Sequence, residues 1–393
     1  MTTQAPSMVR HVTARTGKNI VRHKRYVREL SVSAHSRAPV APTQASNETI
    51  EAHLVSLVQN ADYPNYLCTS FYPTREARYD YLAIRAFNIE VSNIADAVSN
   101  PQIARLRYQW WRDAVASLST DTPVPHPTII ALHRAFRRRK LSSYRLTRII
   151  DAKERNMTDP SYSNLSDLTS YAQATDLSLL MLQMQILNST KMAKGELAGI
   201  PLSTIDHSLS HLATYIGLAR TLQGIHYFAG KKRVMTIPRD VGSEYGLVDE
   251  QIFRSLPLLD RAQSGSSSES TLVPGTSIDP QAAITPLIEA SEELVSLAQL
   301  ERLKARWTLG LPPAEGEPEP DEEHAELAQG RQLSRLPQEL TTLYLSAVPA
   351  KSFLDAFVKT AHCNPLHPAI RQAPKRNWKL PWQIMWANWR GQF

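Results

Sequence analysis

Three groups of residues in this 393-residue chain have the types and spacing that chemistry uses. The first lies in YLAIRAFNIEVSNIADAVS, residues 81–99. There Phe87, Val91, Ile94 and Val98 recur at spacings of four, three and four, which makes one apolar helix stripe. Glu90, Ser92, Asn93 and Asp96 occupy the opposite side. Glu90 stands two positions from Ser92 and so points to another face than a site built around Ser92. The second group is His207 and His211 beside Asp206. Imidazoles at i and i+4 have a metal-ligand spacing, but no third ligand is evident, so no metal site is assigned. Cys363 and His367 have the same spacing, yet Pro365 and Pro368 disturb the helix that would align them. The third group is Trp378, Trp382, Trp386 and Trp389, with Arg376, Lys379 and Arg390 nearby. On a helix these make an indole stripe beside positive charge, suited either to a membrane interface or to packing on the body. The sequence contains no Gly-rich phosphate loop, Gly-x-Ser-x-Gly elbow or Rossmann fingerprint.

Charge is distributed unevenly. The net charge is +7. Residues 1–45 hold Arg10, Arg15, Lys18, Arg22, Lys24, Arg25, Arg28 and Arg37 against Glu29 alone, which is the whole excess. The leader also contains Ser and Thr and lacks the continuous apolar stretch of a secretory signal. This is the composition of a mitochondrial presequence. Within the formally neutral body, Arg134, Arg137, Arg138, Arg139 and Lys140 form a dense run, with Arg145 and Arg148 beyond. Such a run suits a solvated helix end, where cations satisfy carbonyls and the helix dipole, or contact with anionic lipid or an acidic partner. No stacking aromatic motif accompanies it, so no nucleic-acid partner is expected. Two isolated cysteines, Cys68 and Cys363, make neither a disulfide framework nor a zinc site.

The elements that must position these residues are helical. Hydrophobic residues make up 42% of the chain and Gly only 14 residues, which favours a large helical core over a turn-rich β fold. Helices are predicted over 49–59, from the N-cap Thr74 to about Val98, and over 102–118 behind Pro101. Beyond a connector at 121–127 with three prolines, they resume over 128–139, 142–155, 165–187, 191–198, 205–228, 282–309 and 333–361. No alternating strand pattern is convincing. The stretches 264–280, rich in Ser, Pro and Gly, and 312–329, rich in Pro and Glu, are expected to be mobile inserts. The body, 46–393, reads as a single domain. The longest apolar run, Leu177–Leu187, is too short for a span of about 20 residues.

Three of these segments, in order, resemble the signatures of squalene and phytoene synthases. RAFNIEVSNIAD (85–96) resembles their first aspartate-rich helix, and QWWRDAV (109–115) the tryptophan-arginine helix after it. IGLARTLQGI (216–225) followed by RVMTIP (233–238) is similar to the second signature. The resemblance runs from about Tyr63 to Gly246. It implies an all-α, isoprenoid-synthase-type bundle around a central pocket. In those enzymes, carboxylates on two facing helices hold Mg²⁺, which carries a departing diphosphate. At the matching positions this chain has Ser92 and Asn93 for the paired aspartates, with Asp96 remaining, and Gly224 and Phe228 for the Asn and Asp of the second motif. Neutral side chains are poor ligands for a hard cation. No catalytic, cofactor-binding or metal residue is therefore assigned, and no cofactor is expected.

Further agreement, in QWWRDAV, DAKERN (151–156), YAQATDLSLL (171–180) and the His367–Pro368 pair, resembles the mitochondrial NADH dehydrogenase (ubiquinone) complex I assembly factor 6 family. That resemblance implies a non-catalytic factor on the matrix side of the inner membrane. Its partners would be complex I subunits or assembly intermediates, with an inner-membrane lipid surface as a further contact. Two other readings stay open: a prenyl diphosphate transferase with a rewired site using Glu90 and Asp96, and a module binding prenyl lipid or quinone in the remnant pocket.

Overall fold

The computed structural model describes residues 47–98, 100–188, 195–263, 280–314, 316–371 and 377–393. The presequence expected over 1–45 and the insert expected over 264–280 lie outside the described residues, apart from Pro280. The helices are α1 (Asn47–Ala61), α2 (Tyr63–Cys68), α3 (Arg75–Ser92), α4 (Ile94–Ala97), α5 (Pro101–Ala116), α6 (Pro127–Arg139), α7 (Ser143–Thr158), α8 (Leu165–Ala172) and α9 (Ser178–Asn188). They continue with α10 (Leu202–Tyr227), α11 (Arg239–Glu244), α12 (Asp249–Gln263), α13 (Pro280–Thr308), α14 (Glu322–Ala328), α15 (Gln338–Tyr344), α16 (Ala347–Ala361), α17 (Pro368–Arg371) and α18 (Leu380–Arg390). The fold is all-α, as the periodicity predicts.

Local chemistry sets many of the boundaries. The Thr74 hydroxyl accepts from the Ala77 N–H at 3.1 Å, capping α3. Proline opens α5 and α6, where a missing N–H costs nothing. α6 closes on Lys140 in the left-handed region, φ 52°.

Two expectations need correction. The helix behind Thr74 ends at Ser92, with a break at Asn93 before the short α4. The Ser92 hydroxyl donates to the Asn88 carbonyl at 2.6 Å, a back-bond that weakens and bends helices. The helix expected over 191–198 is absent from its described end. Instead Glu196–Leu197 (β1) pairs antiparallel with Ile200–Pro201 (β2). The two residues between them, Ala198 and Gly199, have φ of 53° and 74°, the tight-turn conformation that links antiparallel strands. The stretch 312–329, expected as a mobile insert, carries α14, and Glu317 accepts from both Arg302 (2.7 Å) and Arg306 (2.9 Å). Ion pairs and one buried histidine, His324, hold it where apolar content alone would not.

The core forms two large apolar groups. One gathers α1, α3, α5, α6, α7 and α9. The other surrounds α10, whose longest partner is α13 and which also meets α8 and α16. No described helix is long and apolar enough to cross a membrane.

Candidate functional site

A cavity of about 780 Å³ opens between α3, α9, α10 and α16. A smaller one of about 280 Å³ adjoins it and shares Ser92, Lys153 and Arg220 in its wall. Helix periodicity decides what α3 presents there: Arg85, Asn88, Ile89 and Ser92 line the larger cavity. Arg85 is held by Asp62, with Nε donating to Oδ2 at 2.8 Å. Asn88 is buried and its Oδ1 has no hydrogen-bond partner. Of this row, the sequence singled out only Ser92. The signal for Asn88 was its i, i+4 spacing to Ser92.

From α10 the cavity receives Ile216, Ala219, Arg220 and Gln223. Arg220 pairs with Asp176, which lies in a single π-helical turn, Gln173–Leu177, between α8 and α9. One Arg220 nitrogen donates to Asp176 at 2.7 Å, and a second, shorter bond reaches the other oxygen. Gly217 makes this possible. A Cβ there would lie 2.5 Å from the Ala172 Cβ, so only glycine lets α10 approach α8 this closely.

Gly224 and Phe228, matched by the resemblance to the second motif, lie against each other one turn apart. A side chain at Gly224 would meet the Phe228 ring at 3.3 Å. The bare backbone at 224 and the ring from 228 thus fill one another's space. Asp96, on α4, reaches across to the same helix end. Its Oδ1 accepts from the Tyr227 hydroxyl at 2.9 Å and lies 3.0 Å from the Lys232 ammonium. That contact holds the Lys232 ammonium above the usual lysine range, while burial and then Asp96 raise the Tyr227 phenol. Glu90 faces the other way, 3.6 Å from His53 and 3.9 Å from His126. Glu90 and Asp96 therefore do not converge.

The other sequence-marked groups fall elsewhere. His207 and His211 share one face of α10, and His324 on α14 joins them, the third imidazole that local spacing did not reveal. Cys363 and His367 are not on a common helix, since α16 ends at Ala361 and both His362 and Cys363 have positive φ. Both cysteines are free and buried, and burial pushes the Cys68 thiol up to about 12. Within the basic run, Arg138 and Arg139 both bond the buried Asp80, and Arg137 bonds Asp121 at 3.0 Å. Arg138 and Arg139 thus serve the fold, while Arg137 and Asp121 form an exposed surface pair. The indole stripe does not pack on the body: Trp378, Trp382, Trp386 and Trp389 are 51–74% exposed, while Leu380 and Ile384 anchor α18.

An all-helical bundle with a polar central cavity and two motif helices facing across it defines the class. The squalene/phytoene synthase family model matches residues 58–265, and the chain belongs to that family. It is similar to the Bos taurus protein named NADH dehydrogenase (ubiquinone) complex I, assembly factor 6, at 32% identity over 56% of this chain and 62% of the relative. The Drosophila melanogaster homolog of that factor is 32% identical over 62% of this chain and 70% of its own length. The chain thus spans somewhat under two thirds of the bovine protein. In fold it is similar to a dehydrosqualene synthase solved with a ligand, with TM-score 0.59 and 12% identity over 87% of this chain and 95% of that one.

Proposed function

We propose that this protein is a non-catalytic mitochondrial factor for assembly of respiratory complex I, built on a prenyl-synthase scaffold. One observation carries the non-catalytic part. Asp96, the carboxylate that the resemblance leaves in the first motif, is paired with the Lys232 ammonium and accepts from the Tyr227 hydroxyl. A cation supplied by the chain stands beside the group that a hard divalent metal would need. Ser92 is bonded back to its own helix, and Gly224 and Phe228 offer no side-chain oxygen. The relatives' names support the assembly role, and the basic, acid-poor leader supports a mitochondrial, matrix-side location. Complex I subunits or assembly intermediates are the partners under this reading. The exposed indoles of α18, with Arg390 stacked over Trp386 at 4.5 Å, support peripheral attachment to the inner-membrane surface.

The test is a native gel of mitochondrial membranes from cells lacking the protein, stained in-gel for NADH dehydrogenase. Loss of complex I with other complexes intact is expected, as is restoration by the Asp96→Ala variant. Normal complex I overturns the assembly reading. Failure of Asp96→Ala at wild-type protein level, together with Mg²⁺-dependent diphosphate release from a prenyl diphosphate by the wild type, would turn the conclusion to a transferase. The cavity is open rather than filled with side chains, which favours a second reading, a prenyl-lipid or quinone ligand held there. Lipid extraction from the purified protein tests it.

A further inference from the structure

The three histidines gathered by α10 and α14 lie outside the central cavity and play no part in the function proposed above. His207 and His211 are one turn apart, with their Nε2 atoms 3.1 Å from each other. His324 comes from the Pro- and Glu-rich segment, and its Nε2 is also 3.1 Å from that of His211. One nitrogen from each ring lies within 4.8 Å of the other two.

The far sides of two rings decide what the converging nitrogens can do. His211 Nδ1 is 2.7 Å from Glu301 Oε2 on α13. His324 Nδ1 contacts Asp321 Oδ1, and the same oxygen accepts from the His324 backbone N–H at 2.9 Å, capping α14. An ionised carboxylate only accepts, so each of these Nδ1 atoms carries the hydrogen. In the neutral rings both Nε2 atoms then present lone pairs, and they do so toward one another. Bare lone pairs at 3.1 Å repel unless a cation lies between them. A proton can bridge two of the three nitrogens and leaves the third facing it without a role. A metal ion uses all three.

The geometry points to a zinc-type transition-metal site formed by His207, His211 and His324, with Glu301 and Asp321 orienting two of the ligands. Tetrahedral zinc with Zn–N near 2.0–2.1 Å needs nitrogens roughly 3.3 Å apart; the two pairs that include His211 Nε2 are at 3.1 Å, and the third, within 4.8 Å, closes by rotation of the half-buried His207 ring. Three imidazoles suit zinc, copper or nickel rather than magnesium or calcium. A carboxylate behind a ligating imidazole is the usual outer-shell partner of such a site. Charge agrees: Glu301 and Asp321 outweigh Lys304, which is 3.5 Å from Glu301. His324 is 2% exposed, whereas His207 and His211 are only half-buried, which leaves a solvent-side fourth position and an entry path. The site would fasten α14, and with it the 312–329 segment, to the α10–α13 face. α14 itself buries only His324 and Ala328, so metal binding and docking of this segment would be coupled.

The experiment uses the full chain, freed of any affinity tag and stripped with a chelator. Zinc is titrated against a chromophoric competitor, cobalt is substituted for its visible d–d bands, and protease sensitivity of 312–329 is followed with and without zinc. One zinc per chain, tetrahedral cobalt bands and slower cleavage of 312–329 are expected. His324→Ala should lose at least about 100-fold in affinity, and Glu301→Gln about 10–100-fold. His207→Ala, at a half-buried position whose metal-free melting should match that of the wild type, gives the ligand test should His324→Ala fail to fold. No stoichiometric zinc at micromolar protein would leave only a shared proton in the cluster and overturn the proposal. Equal affinity in wild type and His207→Ala would overturn it as well.

Discussion

Arg220→Met tests how the cavity wall is held. Methionine keeps much of the side chain's length and removes both donors to Asp176. That carboxylate is 5% exposed, and its bonds run to Arg220. Removing one member of a buried pair costs roughly 3–5 kcal/mol, because the other charge stays buried without compensation. Here the Arg220 side chain is itself 41% exposed at the cavity. Water can reach the orphaned carboxylate and screen it, which lowers the expected loss to about 2 kcal/mol. At about 2 °C per kcal/mol for a large chain, the melting temperature should fall by about 4 °C. Circular dichroism melts and urea titrations on the purified protein read this directly. Combining Asp176→Leu with Arg220→Met replaces the pair by apolar groups and should recover most of the loss, since the cost lies in the stranded charge. A single variant that melts within about 1 °C of wild type would refute the reasoning. So would a double variant no more stable than Arg220→Met alone.

Replacing Trp382, Trp386 and Trp389 together with serine leaves the anchors Leu380 and Ile384 in place. Melting should be unchanged, while co-sedimentation with anionic vesicles should fall to the level of protein-free controls. Retained sedimentation would remove α18 as the attachment element. His126 and His226 are both held below the usual imidazole range, chiefly by burial. Each folded-state value lies below its unfolded one, so their contribution is intact above about pH 6.5 and is lost as pH falls through the folded values. The urea midpoint should therefore drop between pH 8 and pH 5.5. The drop should shrink in a His126→Gln, His226→Gln variant, and an identical drop would place its origin elsewhere.

What was legible in the sequence is what neighbours along a helix decide. The stripe of Phe87, Val91 and Ile94 is buried because residues three and four apart share a face whatever else the chain does. Thr74 as a cap, Pro101 as an opener, and the fold class follow from equally local physics. So does the separation of Glu90 from Ser92, two positions apart on α3: Ser92 lines the cavity and Glu90 lies beside His53. The family resemblance was legible too, since its motifs are contiguous.

Only the tertiary structure decided which faces meet. Asp96 could have been free, metal-bound or paired, and its place beside Lys232 depends on how α4 lies against the end of α10. Arg138 and Arg139 read as a solvated run until Asp80, about sixty positions earlier, is packed beneath them. The Trp stripe had two readings, and the packing of Leu380 and Ile384 turned its indoles outward. His324 shows the reason most plainly. It sits 113 residues from His211 in a segment with no hydrophobic period. No local rule brings it to the other two histidines, because that meeting is set by chain crossings that residue spacing does not encode.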